Sequence, residues 1–234
     1  MAKFSIYNKS SAEMLEVSSN SVDLIVTSPP YNIGTVYGEY KDNLSLEEYR
    51  KLLNSVFSES YRILKEEGTI IIECADSVVV NGTYIQLAGY VQSLCLSIGL
   101  SLTGRHVNFV NSDGGKELPD HGLNLEYSSD KNVHSNCHQI MVFSKSKDVS
   151  FKKDDGRILY FNYVESKDHP CPISSEVKNF VLENYYKEGF VVADVFMGTA
   201  ELGVEVLKRS GSFIGFELEK TIFGVAQEKL DRVG

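Results

Sequence analysis

Two prolines between a serine and a tyrosine follow a short apolar run near the start of the sequence. The run Val22–Thr27 is typical of a buried strand, and Ser28, Pro29, Pro30 and Tyr31 come directly after it. Ligands of open α/β sheets bind outside the carboxyl ends of strands, so a binding site is expected here. The prolines fix the backbone and carry no N–H groups. The turn can therefore offer oxygen acceptors, followed by an aromatic ring that can stack on a planar ligand.

This arrangement suits an amino group attached to an aromatic ring. The nitrogen of such a group is a poor nucleophile because its lone pair is delocalised into the ring. The Ser28 hydroxyl and the Pro29 carbonyl could accept its two N–H protons and draw the nitrogen toward sp³ geometry, with the lone pair facing an electrophilic methyl group. A plain Pro-Pro turn at the end of a strand is the alternative, and the motif alone leaves both interpretations open.

A second group of residues near the C-terminus has the order strand, glycine turn, helix, strand. The first strand leads through Asp194 into a turn that contains Gly198, and the second strand ends at Glu217. The spacing from Gly198 to Glu217 is close to that between a nucleotide-binding turn and the carboxylate that holds ribose hydroxyls. A GxGxxG motif is absent from the sequence, which favours a nucleoside ligand without phosphates over NAD.

Strands and helices alternate along almost the whole chain, which predicts an α/β fold with one mostly parallel sheet. Ser45 and Glu48 form a capping box for a helix that we expect to end at Gly68. Other helices are predicted at Ala12–Val17, Tyr84–Ile98, Ser174–Tyr186, Glu201–Arg209 and Thr221–Arg232. Other strands are predicted at Phe4–Tyr7, Thr69–Glu73, Leu102–Val110, Gln139–Ser144, Phe190–Phe196 and Ser212–Glu217.

Composition is that of an ordinary globular protein, with 42% hydrophobic and 24% charged residues among 234. The sequence has no apolar run long enough for a membrane span and no signal-peptide pattern at its start, so we expect a cytoplasmic protein without a membrane partner. The four cysteines are scattered, which favours reduced thiols. No metal site is expected, because the spacing of His121, His134, Cys137 and His138 matches no standard zinc pattern.

A net charge of −9 counts against extensive binding to phosphates. Basic residues nevertheless concentrate in one stretch, formed by Lys145, Lys147, Lys152, Lys153 and Arg157. This basic stretch could hold DNA with modest, salt-sensitive affinity, or it could be a solvated loop.

In this order, the two motifs resemble the β-class amino-methyltransferases of DNA, whose catalytic motif precedes the cofactor motif. The resemblance covers nearly the whole chain. It rests on Val22–Asn32, Asp42–Gly68, Gln139–Phe143, His169–Pro172, Asp194–Gly198 and Glu217.

The resemblance implies a single Rossmann-like domain over residues 1–234, circularly permuted so that the catalytic half comes before the cofactor half. The catalytic half would span residues 1–144, a short target-recognition segment residues 145–168, and the cofactor-binding half residues 169–234. It also implies S-adenosylmethionine as methyl donor and double-stranded DNA as substrate. Because the recognition segment is short, a homodimer or a partner subunit is a further expectation.

Roles for single residues follow from the same resemblance. Ser28, Pro29, Pro30 and Tyr31 would be catalytic, with Tyr31 stacking on a flipped base. The residues expected to bind the cofactor are His169, Asp194, Phe196, Met197, Gly198, Thr199 and Glu217. Two departures affect this half, since Ala200 replaces a glycine and Glu201 replaces a hydroxyl residue near the carboxylate of the cofactor.

Ser-Pro-Pro-Tyr favours cytosine N4 as the methyl acceptor, with adenine N6 as the alternative. Either amino group satisfies the same pair of acceptors. Two other classes of function stay open from the sequence. One is a catalytically weakened DNA-binding subunit, suggested by the altered cofactor turn, and the other is methylation of RNA or of a protein glutamine.

Overall fold

The computed structural model describes residues 3–38, 40–111, 125–127, 133–146, 159–162 and 172–234. Within these ranges the chain forms twelve strands and five helices. The strands are β1 (Phe4–Tyr7), β2 (Val22–Thr27), β3 (Leu64–Ala75), β4 (Val78–Val80), β5 (Thr83–Ile85), β6 (Ser101–Asn111), β7 (Leu125–Tyr127), β8 (Val133–Ser135), β9 (Cys137–Ser144), β10 (Leu159–Asn162), β11 (Val191–Asp194) and β12 (Ser212–Phe216). The helices are α1 (Leu46–Ile63), α2 (Leu87–Ile98), α3 (Ser175–Tyr185), α4 (Glu201–Lys208) and α5 (Lys220–Asp231).

Eight of these strands form the main sheet, in the order β1-β12-β11-β2-β3-β9-β6-β10. Among them β9 alone runs opposite to the others, since it pairs antiparallel with both β3 and β6. The remaining neighbours pair in parallel. The predicted α/β fold with a mostly parallel sheet is therefore confirmed.

The chain changes direction across the sheet between β2 and β11. From β2 it passes through α1 to β3 on one side, and from β11 it passes through α4 to β12 on the other. Such a switch point opens a crevice at the carboxyl ends of the two strands, where ligands of these sheets bind. Both chemical motifs start at this crevice, because Ser28 follows β2 and the Gly198 turn follows β11.

Two apolar layers cover the faces of the sheet. The first contains buried residues of α1 and α2, among them Leu53, Phe57 and Val91. The second contains residues of α3, α4 and α5, among them Val181 and Val206. The helices are thus fixed by the apolar side that each presents to the sheet.

A second, four-stranded sheet has the order β5-β4-β8-β7, so the prediction of one sheet for every strand is wrong. Its β4 and β5 form a hairpin around Asn81 and Gly82, whose φ angles are 50° and 76°. Two adjacent residues with positive φ are what a tight hairpin turn of this type requires, and Asn-Gly is its preferred sequence. The predicted helix start at Tyr84 is also wrong, because Tyr84 lies in β5.

The helix α1 begins as predicted and ends earlier. Ser45 accepts a hydrogen bond from the N–H of Glu48, and the Glu48 carboxylate accepts one from the N–H of Ser45. The helix ends at Ile63 instead of Gly68, because Leu64 already pairs with Val22 in the sheet.

The predicted helix Ala12–Val17 is wrong, since these residues form turns. The Arg62 guanidinium donates to the carbonyls of Met14 and Val17 at 2.8 and 2.9 Å, and Glu59 accepts the N–H of Met14 at 2.8 Å. Backbone groups that a helix would pair with each other are thus satisfied by side chains of α1.

Lys145, the first residue of the basic stretch, is not an exposed cation. Its side chain is 7% exposed, and its Nζ donates to the Asn20 side chain at 2.6 Å and to the Leu64 carbonyl at 3.1 Å. The other members of the stretch lie outside the described residues.

Cys74, Cys95 and Cys137 are buried free thiols, in agreement with the predicted reduced state, and Cys171 lies outside the described residues. In the part of the chain that the structure describes, no helix is both long and apolar enough to cross a membrane.

Candidate active site

Ser28 lies at the carboxyl end of β2 with its hydroxyl held by a buried carboxylate. Its Oγ donates to Glu73 Oε2 at 3.0 Å, from the neighbouring strand β3. Glu73 is 7% exposed, and its other oxygen contacts Nδ1 of His138 on β9, which is 8% exposed. Ser28, Glu73 and His138 thus form a continuous polar chain across three adjacent strands.

The Tyr31 ring stands beside this chain. Its centroid is 5.9 Å from that of the His138 ring in an edge-on arrangement, and its hydroxyl is 3.5 Å from His138 Nδ1. Tyr31 is half-buried and packs against the apolar layer beneath α1.

The two prolines differ in the use of their carbonyls. The Tyr49 hydroxyl of α1 donates to the Pro30 carbonyl at 2.7 Å, which anchors the turn to the helix. Within the described residues no N–H or O–H group donates to the Pro29 carbonyl. That carbonyl can therefore accept a hydrogen bond from a ligand.

The loop that follows Tyr31 is fixed by Asp42. The buried Asp42 carboxylate accepts the backbone N–H groups of Asn32, Ile33 and Thr35 at 2.9 to 3.1 Å. Asn32 has a φ of 59°, and its side chain exchanges two hydrogen bonds with the backbone of Leu44. The loop therefore keeps Tyr31 at a fixed position next to the sheet.

Asp194 ends β11 on the other side of the crevice and is 3% exposed. Its Oδ1 accepts the Thr27 hydroxyl at 2.8 Å and the N–H of Phe196 at 3.0 Å. Burial raises the pKa of Asp194 to about 7, although both hydrogen bonds favour the carboxylate. The last residue of β2 and the last residue of β11 are thus joined directly.

Glu217 follows β12 and holds the glycine turn. Its two oxygens accept the backbone N–H groups of Gly198 at 3.0 Å and Glu219 at 2.8 Å. Burial raises its pKa against these two bonds. A carboxylate has about four acceptor sites, so roughly two remain for hydroxyl groups of a ligand.

The structure brings most of the predicted site residues to one crevice. Ser28, Pro29, Pro30 and Tyr31 follow β2, while Phe196, Met197, Gly198 and Thr199 lie in the turn between β11 and α4, next to Asp194 and Glu217. His169 lies outside the described residues, so its predicted contact with the cofactor stays a prediction.

Both departures in the cofactor turn have a local structural explanation. Ala200 has φ 55° and ψ 31°, a left-handed conformation that glycine adopts at lower cost. Glu201 is the first residue of α4, and one of its oxygens forms an ion pair with Lys178 of α3. The substituted turn thus keeps the backbone that a glycine would take, and its extra carboxylate is neutralised.

Cys137 and His138 are neighbours in β9 and point away from each other. Consecutive residues of a strand point to opposite faces, and His138 contacts Glu73. Among the described residues no three His, Cys, Asp or Glu side chains cluster as metal ligands. His121 and the side chain of His134 lie outside the description.

Sequence reasoning missed Glu73, His138 and Lys178. Glu73 could have been found, because it is an acid at the end of a strongly apolar strand, as Glu217 is. Nothing in the sequence pairs Lys178 with Glu201 or His138 with Glu73, since these contacts join residues that are distant in the chain.

Comparison with known proteins decides the family. The model of the DNA methylase family that joins the N6 and N4 enzymes matches residues 22–228. The chain belongs to this family of DNA methylases. S-adenosylmethionine is the methyl donor of the family, so the predicted family, enzyme class and cofactor are confirmed.

Relatives of this DNA methylase include two bacterial type II methyltransferases. M.HpaI of Haemophilus parainfluenzae is 27% identical over 92% of this chain and 70% of its own length. M.BglII of Bacillus subtilis is 24% identical over 96% of this chain and 68% of its own length. The DNA adenine methyltransferase YhdJ of Escherichia coli K12 is 23% identical over 98% of this chain and 83% of its own length.

Solved structures support the fold of the DNA methylase. TTHA0409 of Thermus thermophilus, complexed with S-adenosyl-L-methionine, has a TM-score of 0.68 at 20% identity and covers 99% of this chain and 95% of its own. The PvuII DNA methyltransferase, described as cytosine-N4-specific, has a TM-score of 0.69 at 20% identity and covers 99% of this chain and 94% of its own.

Proposed function

We propose that this DNA methylase transfers the methyl group of S-adenosylmethionine to an exocyclic amino group of a DNA base, with cytosine N4 favoured. The hydrogen bond from Ser28 Oγ to Glu73 Oε2 carries the proposal. Because the hydroxyl proton of Ser28 is directed to Glu73, the lone pairs of Oγ are left to accept an N–H of the substrate.

The residues of the crevice fit S-adenosylmethionine. When bound, this cofactor supplies an electrophilic methyl group on a sulfonium centre. Glu217 has acceptor sites for two ribose hydroxyls, and the turn from Phe196 to Thr199 lies beside it without a phosphate-binding loop. Asp194 and the turn would hold the methionine part, and His169 would contribute from the segment before α3.

Ser28 and Pro29 orient the acceptor. The Ser28 hydroxyl and the Pro29 carbonyl each accept one N–H of the amino group, which localises the nitrogen lone pair. Pro30 and Tyr49 keep the turn rigid, and the Tyr31 ring stacks on the base after it leaves the duplex. Orientation of this kind supplies several kcal/mol without a covalent intermediate.

The polar chain behind Ser28 also accepts the proton that the amino nitrogen gives up. Methyl transfer would form the new N–C bond as the bond between the methyl carbon and the cofactor sulfur breaks, and the sulfur would leave as a neutral thioether. One N–H proton would pass to Ser28 Oγ, and the proton of Ser28 would pass to Glu73 Oε2. The Ser28 hydroxyl is restored, and Glu73 becomes a carboxylic acid. His138 contacts the other oxygen of Glu73 and keeps the carboxylate turned toward Ser28.

Adenine N6 is the second candidate acceptor. Ser28 at the first position of the motif favours cytosine, whereas the relative YhdJ is named for adenine. A catalytically weakened subunit is less well supported, because Lys178 neutralises the extra carboxylate of the cofactor turn.

Target recognition is proposed for the short segment 145–168 between the catalytic half, residues 1–144, and the cofactor half, residues 169–234. Residues 147–158 and 163–168 lie outside the described residues. A segment of this length is small for reading a DNA sequence alone, so a second copy or a partner subunit would complete the recognition surface.

The methylated nucleoside identifies the reaction. DNA from cells that express the protein is digested and examined by mass spectrometry, with a Ser28→Ala variant as control. The proposal is supported if N4-methylcytosine is found with the wild type and is absent with Ser28→Ala. N6-methyladenine establishes the second candidate, and the absence of both, with a folded protein that binds S-adenosylmethionine, supports the weakened subunit.

A further inference from the structure

A buried lysine lies next to the cofactor turn. Lys178 of α3 has a side chain that is 7% exposed, and its Nζ forms an ion pair with Oε2 of Glu201. Within the part of the chain that the structure describes, this is the one hydrogen bond that Nζ donates. A lysine ammonium has three N–H donors, and burying them without acceptors is unfavourable.

Two ammonium groups face the Glu201 carboxylate. Lys178 contacts one oxygen of Glu201, and Lys229 of α5 approaches the other at 3.4 Å. Burial works to raise the pKa of Glu201, but the bonds to Lys178 and Lys229 outweigh it and hold the pKa below its usual range. Glu201 is thus ionised.

Lys178 lies near the end of β11, between the two groups proposed to hold the cofactor and the acceptor. With Glu217 holding the ribose beyond β12 and Ser28 orienting the acceptor beyond β2, the amino-acid part of the cofactor would lie between them. Strand β11, which ends at Asp194, separates β12 from β2. Lys178 acts electrostatically on Asp194 and forms its ion pair at the first residue of α4, directly after the turn.

We propose that Lys178 binds the α-carboxylate of S-adenosylmethionine, an inference that rests on the proposed function. The ammonium of Lys178 offers two further N–H donors to the carboxylate, while the acids Asp194 and Glu201 border the same place and suit the α-ammonium. Lys178 also explains how the cofactor turn tolerates Glu201 in place of a hydroxyl residue. Without a buried cation beside it, the Glu201 carboxylate would repel the α-carboxylate of the cofactor.

A structural ion pair between α3 and α4 is the competing explanation. It predicts that removal of both charges of the pair, in the double variant Lys178→Met/Glu201→Gln, lowers the stability of the protein but affects every adenosine ligand equally. Recognition of the carboxylate predicts an effect that depends on whether the ligand has one. The two explanations therefore differ in one ratio, the affinity for a ligand with the carboxylate divided by the affinity for a ligand without it. A general loss of stability does not change this ratio.

The experiment measures by calorimetry the dissociation constants of S-adenosylmethionine and of its decarboxylated form, which lacks the α-carboxylate and keeps the ammonium and the sulfonium. We expect the wild type to bind the intact cofactor at least about tenfold more tightly, the range of a charge-assisted hydrogen bond. In the double variant, which removes Lys178 without leaving Glu201 unpaired, this preference falls to about twofold or less, with the decarboxylated ligand bound as in the wild type. The matched control is Lys208→Met, which removes an exposed lysine of α4 and keeps the preference.

The wild-type measurement tests the inference even if the double variant does not fold. Equal affinity of the wild type for both ligands overturns the role of Lys178 and leaves the proposed function standing. A wild type that binds neither ligand overturns the proposed function itself and the inference with it. A folded double variant that keeps the full preference overturns the inference alone.

Discussion

Thr27 and Asp194 are 167 positions apart in the sequence and are joined by a hydrogen bond of 2.8 Å between Thr27 Oγ1 and Asp194 Oδ1. Thr27 is the last residue of the strand before the catalytic turn, and Asp194 is the last residue of the strand before the cofactor turn. This buried bond continues the pairing of the two strands to their last residues, so the catalytic turn and the cofactor turn are held side by side. It also places a carboxyl group where water cannot solvate it.

Asp194→Asn should change how stability depends on pH. Burial raises the pKa of Asp194 from 3.8 to about 7. Between these values the folded protein keeps a proton that the unfolded chain has released, so the Asp194 contribution lowers stability as pH rises from about 4 to 7, by at most roughly 4 kcal/mol. Asparagine does not titrate and keeps an oxygen for Thr27. Urea unfolding at several pH values should show the variant gaining on the wild type toward pH 7.

The exposed residue Asp231 provides the control, as Asp231→Asn should follow the wild type. Parallel pH profiles for wild type and Asp194→Asn would mean that Asp194 is ionised throughout this range.

Local patterns predicted the parts of the fold that depend on neighbouring residues. The capping box of Ser45 and Glu48 and the helix end at Ile98 are found where the sequence indicated them. The end of α1 at Ile63 depends instead on pairing of Leu64 with Val22, which a helical pattern does not reveal. The Asn-Gly pair at positions 81 and 82 is the preferred sequence of a tight hairpin turn. It places Tyr84 in β5 and not in the helix that follows.

The residues of the site could be predicted from local motifs, whereas most of their contacts could not. Ser28, Tyr31, Asp194 and Glu217 could be identified because each belongs to a motif at the end of a strand. The contacts that these residues make could not be identified, because they join distant parts of the chain. The contact of His138 with Glu73, for example, spans 65 positions. Motifs thus locate the ligand crevice, and the tertiary structure determines how each motif residue is held and charged.

Glu73→Gln should lower turnover by about 10²–10⁴, the usual contribution of a proton acceptor. Glutamine keeps an oxygen for the Ser28 hydroxyl but accepts the transferred proton poorly. Affinity for S-adenosylmethionine should stay unchanged, because Glu73 lies on the far side of Ser28 from the cofactor turn. Single-turnover kinetics and calorimetry measure the two effects separately.

Glu67→Gln, an exposed acid on the same strand, is the matched control and should keep wild-type turnover. A folded Glu73→Gln protein with the same rate would show that the proton leaves by another route.

Tyr31→Ala should reduce turnover by about 10- to 100-fold, because stacking on a base contributes about 1–3 kcal/mol. Tyr31→Phe should have a mild effect, since stacking needs the ring and the hydroxyl contact with His138 is long, at 3.5 Å. Steady-state methylation of a short duplex provides the measurement. Tyr84→Ala removes an exposed tyrosine and serves as control. Near-normal turnover by Tyr31→Ala would refute stacking by this ring.

Glu217→Ala should weaken binding of S-adenosylmethionine by about 1.5–3 kcal/mol, the range for hydrogen bonds to a charged group. The decarboxylated cofactor should lose affinity by the same factor, because both ligands have the ribose. That equality distinguishes Glu217 from Lys178 in the same calorimetric assay. Glu228→Ala, at an exposed position of α5, should leave both dissociation constants unchanged. If Glu217→Ala binds the cofactor as the wild type does, Glu217 only holds the backbone of Gly198 and Glu219 and does not contact the ribose.

Replacing both Lys152 and Lys153 by alanine should make DNA binding less dependent on salt. With a net charge of −9 the protein has little long-range attraction to DNA, so its affinity must come from few local contacts. Each phosphate contact adds about 0.9 to the slope of log affinity against log salt, so the slope should flatten by up to about two units for any DNA sequence. Affinity for S-adenosylmethionine should not change.

A salt titration of DNA binding compares the wild type, this double variant and a control that replaces Lys51 and Lys208, which are exposed and paired with acids of their own helices. Lys145 is left intact in every variant because its buried ammonium supports the packing of β3. If the double variant keeps the wild-type slope, Lys152 and Lys153 make no phosphate contacts, and the DNA surface is to be sought in residues 111–136.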